Sequence, residues 1–267
     1  MNKIRITLQQ KKSSPTETNI DAISNWLMVF PYSMKKTTKS SYFPYQEKLL
    51  KRQQELDLKK FDTSPVIIDL PNKKSSHVSY AAIEASISSF ELLTLARKLM
   101  AAHSSINPAQ LGLFVYGFNK VESERIAEAL ISATLAAAAE MPKFKSEKQT
   151  ISRLSKLSLF GVRANHGFKQ SFAIAEGNTL TRRLSILPPN KLTPTEYLKK
   201  VKELARENKW KLEFYDESIL KKKKAGAFLA VSQGSPKADS GIIRLRYTPK
   251  VSIKGKKVFL VGKGICY

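Results

Sequence analysis

"LGLFVYGF" (Leu111–Phe118), followed almost at once by "ESERIAEALISATLAAAAE" (Glu122–Glu140), decides the fold class. The first stretch is a short apolar run rich in aromatic and aliphatic side chains, the pattern of a strand buried on both faces. The second is an alanine-rich helix that must stop at Met141-Pro142, because the residue before a proline is driven out of the helical region. Upstream, "VIIDL" (Val66–Leu70) reads as another buried strand, closed by Pro71-Asn72. Between the two strands, Ile83, Ile87, Phe90, Leu93 and Ala96 recur at helical spacing and predict a helix from Tyr80 to Met100. Strand, helix, strand, helix with short connections specifies an α/β layered sheet with parallel pairs.

Working outward, "MNKIRITLQQKK" alternates Ile4, Ile6 and Leu8 with polar residues, which is strand periodicity and not the apolar block of a signal peptide. Tyr32–Ser41 and Lys143–Ser155 are polar and lysine-rich and read as surface loops. After the strand-like "KLSLFGVRA", a helix is predicted from Phe168 to about Leu187, stopped by Pro188-Pro189. "TPTEYLKKVKELARENKW" then carries start signals for another: Thr193 as N-cap, Pro194 in the first helical position, Glu196 completing a capping box. Its apolar stripe is Tyr197, Val201 and Leu204. "KLEFYD" reads as a strand and "ESILKKKKAGA" as a short basic helix or turn. "FLAVSQGS", "GIIRLRY" and "KVFLVGKG" are predicted as three more strands, the last buried on both faces from Val258 to Val261.

Hydrophobic residues make up 42% and charged residues 25% of the 267, ordinary values for a globular protein. No apolar run approaches the length of a membrane span. One cysteine, Cys266, excludes an internal disulfide and points to a reducing cytoplasm. The net charge of +24 is unevenly spread. Asn178–Tyr267 holds 21 basic and 7 acidic residues, a net of +14. Such an excess attracts nucleic acid or anionic membrane, but it is equally what solvated surface lysines produce. The basic residues are not interleaved with aromatics along the chain, so at most weak, nonspecific nucleic-acid binding is expected.

Several chemistries are excluded. His77, His103 and His166 are too scattered in sequence for a histidine metal cluster or an HExxH helix. There is no GxSxG elbow and no GxxxxGK[ST] loop, and "GKG" lacks the third glycine of a dinucleotide fingerprint. Cys266 has no histidine near it in sequence to activate it and reads as a packing residue.

The order of pieces in the last third is more specific than any one of them. "GNTLTRRLSILPPNKLTP", "GAFLAVSQGS", "IIRLRY" and "KVFLVGKGICY" together resemble the start of the catalytic domain of the leucine (cytosol) aminopeptidase family. Asn178, Arg182, Leu184, Pro188, Asn190, Thr193 and Pro194 fill the family's pattern. Arg183 stands where members usually carry an acidic residue, and Ile186 where they often carry asparagine. The resemblance covers Gly177–Tyr267.

It implies an N-terminal α/β (macro-like) domain over 1–166, a connecting helix and linker over 167–190, and the incomplete start of an α/β catalytic domain over 191–267. It implies a cytoplasmic, usually hexameric metalloexopeptidase that removes N-terminal residues from peptides. Two divalent ions, zinc, manganese or magnesium, would activate a water and stabilise the tetrahedral intermediate. The motif lysine, an unusual metal ligand, maps onto Lys263. The family's next ligand, an aspartate, would follow Tyr267, and its other carboxylates, second lysine and arginine would lie beyond. These 267 residues are therefore expected to be a truncated form that binds no metal pair and is inactive alone. The alternatives are a non-enzymatic basic module that binds nucleic acid, or a disrupted gene product.

Overall fold

The structure, a computed structural model, describes residues 4–36, 43–56, 64–144, 151–235, 237, 239–249, 255 and 257–264. It divides into two units, Met1–Arg183 and Leu184–Tyr267.

The first unit is built on a six-stranded sheet. Its strands are β1 (Thr7–Lys11), β2 (Asn25–Pro31), β3 (Val66–Asp69), β4 (His77–Ile83), β5 (Gln110–Val115) and β6 (Lys156–Phe160), in the spatial order β1-β6-β5-β2-β4-β3. All neighbours pair in parallel except the edge strand β3, which is antiparallel to β4. Helices α1 (Glu17–Ala22), α2 (Gln46–Glu55), α3 (Ser89–Ala101) and α4 (Lys120–Ala138) punctuate the strands, and α5 (Lys169–Ile186) follows the last of them. The mixed α/β sheet is the one the strand–helix alternation specifies.

The central strand β2 shows why the sheet is covered on both sides. Leu27 and Val29 enter one apolar cluster with α3 and α4 residues such as Leu95, Leu99, Ile126 and Leu130. Trp26, Met28 and Phe30 enter the other with Phe43, Leu49, Tyr80 and Phe114. Successive side chains of a strand point to opposite faces, so five apolar residues in a row fill two cores. Phe43 stacks on Phe30 at 5.0 Å and meets Phe114 edge-on at 5.0 Å. Trp26 lies opposite Gly112 of β5, where a Cβ would overlap its indole. Gly112 is thus the gap that the largest core side chain fills.

Capping fixes the helix starts. Ser88 and Glu91 form a reciprocal box at α3, and Asn119 and Glu122 another at α4. The predicted helix from Tyr80 to Met100 is corrected here. His77–Ile83 is strand β4, held between β2 and β3, and the helix begins only after Ser88. Its buried stripe is Leu92, Leu95, Ala96, Leu99 and Met100, while Phe90 is 80% exposed. Of the loop expected over Tyr32–Ser41, Tyr32–Lys36 is a 3-10 helix and the rest lies outside the described residues. Within Lys143–Ser155, the described residues have no regular structure.

The second unit contains α6 (Pro194–Asn208), β7 (Lys211–Asp216), α7 (Glu217–Lys222), α8 (Gly226–Ser232) and β8 (Gly241–Arg246). β7 and β8 form an antiparallel pair, Lys211 facing Arg246 and Asp216 facing Gly241. α6 buries Val201, Leu204 and Ala205, and Thr193 caps it by accepting from the Glu196 N–H. Two predicted strands of this unit are corrected. "FLAVSQGS" lies largely in helix α8, where no residue is fully buried. Val258–Val261 belongs to no described strand, and its four side chains are 83%, 78%, 94% and 99% exposed. A run that apolar becomes a buried strand only between neighbours, and no described strand lies beside it.

Candidate functional site

The motif residues of the last third fall on helix α5, the turn after it and the start of α6. Asn178, Arg182 and Leu184 are helical, and Arg182 donates to the Ala136 carbonyl at 3.2 Å. Pro188 accepts from the Lys191 and Leu192 N–H groups, closing the turn that holds Asn190. Thr193 and Pro194 are the N-cap and first residue of α6. These are structural positions: caps and turns set the path of the chain, and none brings an acid, base or nucleophile toward another.

Lys263 is exposed in the segment after Val261. Among the described residues, no group of three or more His, Cys, Asp or Glu side chains could hold a metal ion. A hard or borderline dication needs several oxygen or imidazole donors converging on one point. The described donor set therefore does not fit a two-ion centre, and no catalytic step is derived through one. Cys266 lies outside the described residues.

The fold does bring together two of the histidines that the sequence scatters. The rings of His77 and His103 meet edge-on at 5.0 Å beside β4 and the end of α3. His103 is fully buried, with Nε2 3.0 Å from Ser79 Oγ and Nδ1 3.1 Å from Asn25 Oδ1. Ser79 Oγ in turn lies 3.0 Å from the Leu99 carbonyl. Burial, reinforced by the neighbouring His77, lowers the His103 pKa to about 4, partly offset by the Trp26 backbone. His77 Nδ1 is 2.7 Å from Asp69 Oδ1 at the rim. Serine, histidine and asparagine in a chain resemble a nucleophile relay, but Ser79 and His103 are inaccessible and Asn25 is 6% exposed. No substrate reaches them, so this is a buried polar joint between β2, β4 and α3. Periodicity could not reveal it, because its members are separated by up to 78 residues. His166 stands apart, its Nε2 3.7 Å from Glu124.

Residues 179–267 match the model of the cytosol aminopeptidase family, catalytic domain. The probable cytosol aminopeptidase of Prochlorococcus marinus is 35% identical over 127 residues, covering 47% of this chain and 25% of that protein. The cytosol aminopeptidase of Pseudomonas aeruginosa is 40% identical over 131 residues, covering 47% of this chain and 26% of that protein. Among solved structures, a lysine-to-glutamate mutant of tomato leucine aminopeptidase superposes with a TM-score of 0.75 at 17% identity. That likeness covers 94% of this chain and 52% of the tomato chain. The bottromycin maturation enzyme BotP, in complex with Mn, gives a TM-score of 0.59 at 15% identity, covering 80% of this chain and 43% of that one. At such identities the structural likeness shows shared fold alone. The chain spans about a quarter of the length of the curated relatives it matches. By sequence, its C-terminal third is similar to the cytosol aminopeptidase catalytic domain.

Proposed function

We propose that residues 191–267 are the opening part of a cytosol aminopeptidase catalytic domain, preceded by a macro-like α/β module over 1–166 and a connecting segment over 167–190. The parent activity is release of N-terminal residues from peptides in the cytoplasm. The observation that carries this reading is the family match over 179–267. Support comes from the α/β likeness to the tomato enzyme, which extends over 94% of the chain.

Within that reading Lys263 would be one metal ligand. The carboxylates that complete the set are proposed to belong to the part of the relatives' domain that these 267 residues do not span. When bound, the ions would supply an activated water and charge stabilisation. The work of this chain's own residues is architectural. Thr193 and Pro194 start α6, the Pro188 turn orients it, and β7 and β8 begin the sheet at whose edge the Lys263 segment is to dock.

The test is a fusion in which this chain is continued by the remaining catalytic sequence of the Pseudomonas aeruginosa cytosol aminopeptidase. Manganese-dependent hydrolysis of a leucyl chromogenic substrate is expected from the fusion. A folded, manganese-loaded fusion without turnover would refute the reading.

A further inference from the structure

The β7–β8 register assembles a surface that the linear sequence conceals. Lys211 lies opposite Arg246, Glu213 opposite Arg244 and Tyr215 opposite Ile242, so these six side chains share one face of the ribbon. The other face carries Leu212, Phe214, Ile243 and Leu245, and helices α6 and α7 contact β7. The polar face is open: Lys211, Arg244, Arg246 and Ile242 are all exposed. Lys223, the C-cap of α7, reaches over the Tyr215 ring at 5.7 Å from its centroid. Four cations thus share this face with one aromatic ring and one carboxylate.

That carboxylate is already engaged. Glu213 accepts from the Tyr215 hydroxyl at 2.9 Å and from Arg244 at 3.1 Å, with Lys211 at 3.6 Å. The Tyr215 hydrogen bond holds its pKa below the ordinary glutamate value, so it stays ionised and fixes Arg244 in place. One carboxylate cannot neutralise four cations, and a net positive face remains.

We propose that this face of the β7–β8 ribbon binds single-stranded nucleic acid, with Lys211, Lys223, Arg244 and Arg246 on phosphates and Tyr215 as a stacking platform. Arg244 and Arg246 stand two residues apart on one strand, about 7 Å along it, which makes a ladder of cations suited to a ladder of phosphates. The guanidinium fork takes phosphate oxygens in a bidentate manner. A basic track with an aromatic ring set in it is the arrangement by which single strands are held without sequence preference. A membrane surface is disfavoured because Ile242 is the one aliphatic side chain among the six, too little to anchor in lipid. The proposal is independent of the aminopeptidase reading.

The experiment titrates the full 267-residue protein against a fluorescently labelled oligothymidylate by anisotropy, over a series of salt concentrations. Four phosphate contacts predict a log–log salt slope near −2.8, or about a fifty-fold loss of affinity between about 50 and 200 mM salt. Arg244→Ala with Arg246→Ala should weaken binding at least about ten-fold at the low salt and make the slope shallower by about 1.4. The corresponding pair of Arg→Lys changes should recover part of the loss. Lys12→Ala with Lys73→Ala, which removes the same charge from exposed positions of the first unit, should change affinity less than about two-fold. Circular dichroism confirms that each variant folds. Absence of binding at the low salt would overturn the proposal. So would equal losses in the two double variants, which would reduce the effect to net charge. Phosphatidylserine vesicles bound as tightly as the oligonucleotide, through the same arginines, would reassign the face to membranes and also overturn it.

Discussion

Replacing His103 by Gln should flatten the acid limb of the first unit's stability profile. The imidazole is fully buried, and its folded-state pKa is lowered to about 4 from an ordinary value of 6.5. A base whose pKa is depressed by folding binds fewer protons in the native state than in the unfolded one. Its contribution is therefore fully present above pH 6.5, falls as pH drops through the window between 6.5 and about 4, and changes no further below it. The shift corresponds to about 3 kcal/mol across the whole window, and about 2 kcal/mol are lost by pH 5. For a unit of this size, 2 kcal/mol is a large part of the net stability. The assay is urea unfolding at pH 7.5, 6, 5 and 4.5, followed by the fluorescence of Trp26 in a Trp210→Phe background, with and without His103→Gln. The variant begins less stable, because Ser79 and Asn25 lose a partner. The gap between the two proteins should shrink by about 2 kcal/mol between pH 7.5 and 5. Comparing the gap cancels groups that contribute equally to both proteins. A gap of constant size would show that His103 does not carry the acid sensitivity and would refute the reasoning.

Gly112→Ala should destabilise the first unit by roughly 1–3 kcal/mol, read as a lower urea midpoint, because the new methyl overlaps the Trp26 indole. Thr193→Ala removes the hydroxyl that accepts from the Glu196 N–H and should cost about 1 kcal/mol of α6 stability, seen as faster hydrogen exchange in that helix. The amides of Val258–Val261 should exchange at close to the free-peptide rate, while β2 and β5 stay protected; strong protection at 258–261 would show a packing absent from the structure. The 267-residue chain alone should not hydrolyse leucyl substrates with manganese or zinc, since its described residues hold no set of ligands for either ion; metal-dependent turnover after rigorous purification would contradict this.

What sequence reasoning reached, and what it missed, divides along physical lines. β5 was legible as a short apolar run buried on both faces, and α4 as an alanine-rich stretch with a proline stop. α6 was legible from Thr193 and Pro194, although Glu196 contributes only its backbone N–H to the cap. β4 was hidden inside a spurious helical pattern. Ile83 and Ile87 align with Phe90 and Leu93 at helical spacing, yet strand pairing on both sides of His77–Ile83 outweighed that local signal. The S-x-x-E box at Ser88 would have located the true helix start. The central strand β2 went unread as well, its five apolar residues too short a run to separate strand from helix. "FLAV" and "VFLV" are the converse case: apolar enough for strands, but one is helical and the other unpaired among the described residues. The His77–His103 joint and the Tyr215 basic face depend on register and long-range contact, which composition does not encode.

The family reading turns on Lys263. In the fusion with the remaining catalytic sequence, Lys263→Met keeps the side chain out to the ε position and removes the amine. Manganese affinity, measured by titration calorimetry alongside leucyl turnover, is the most direct readout. The account predicts that this variant folds as the parent fusion does, binds manganese at least about ten-fold more weakly and loses turnover. A variant that keeps the parent's manganese affinity and rate would contradict it.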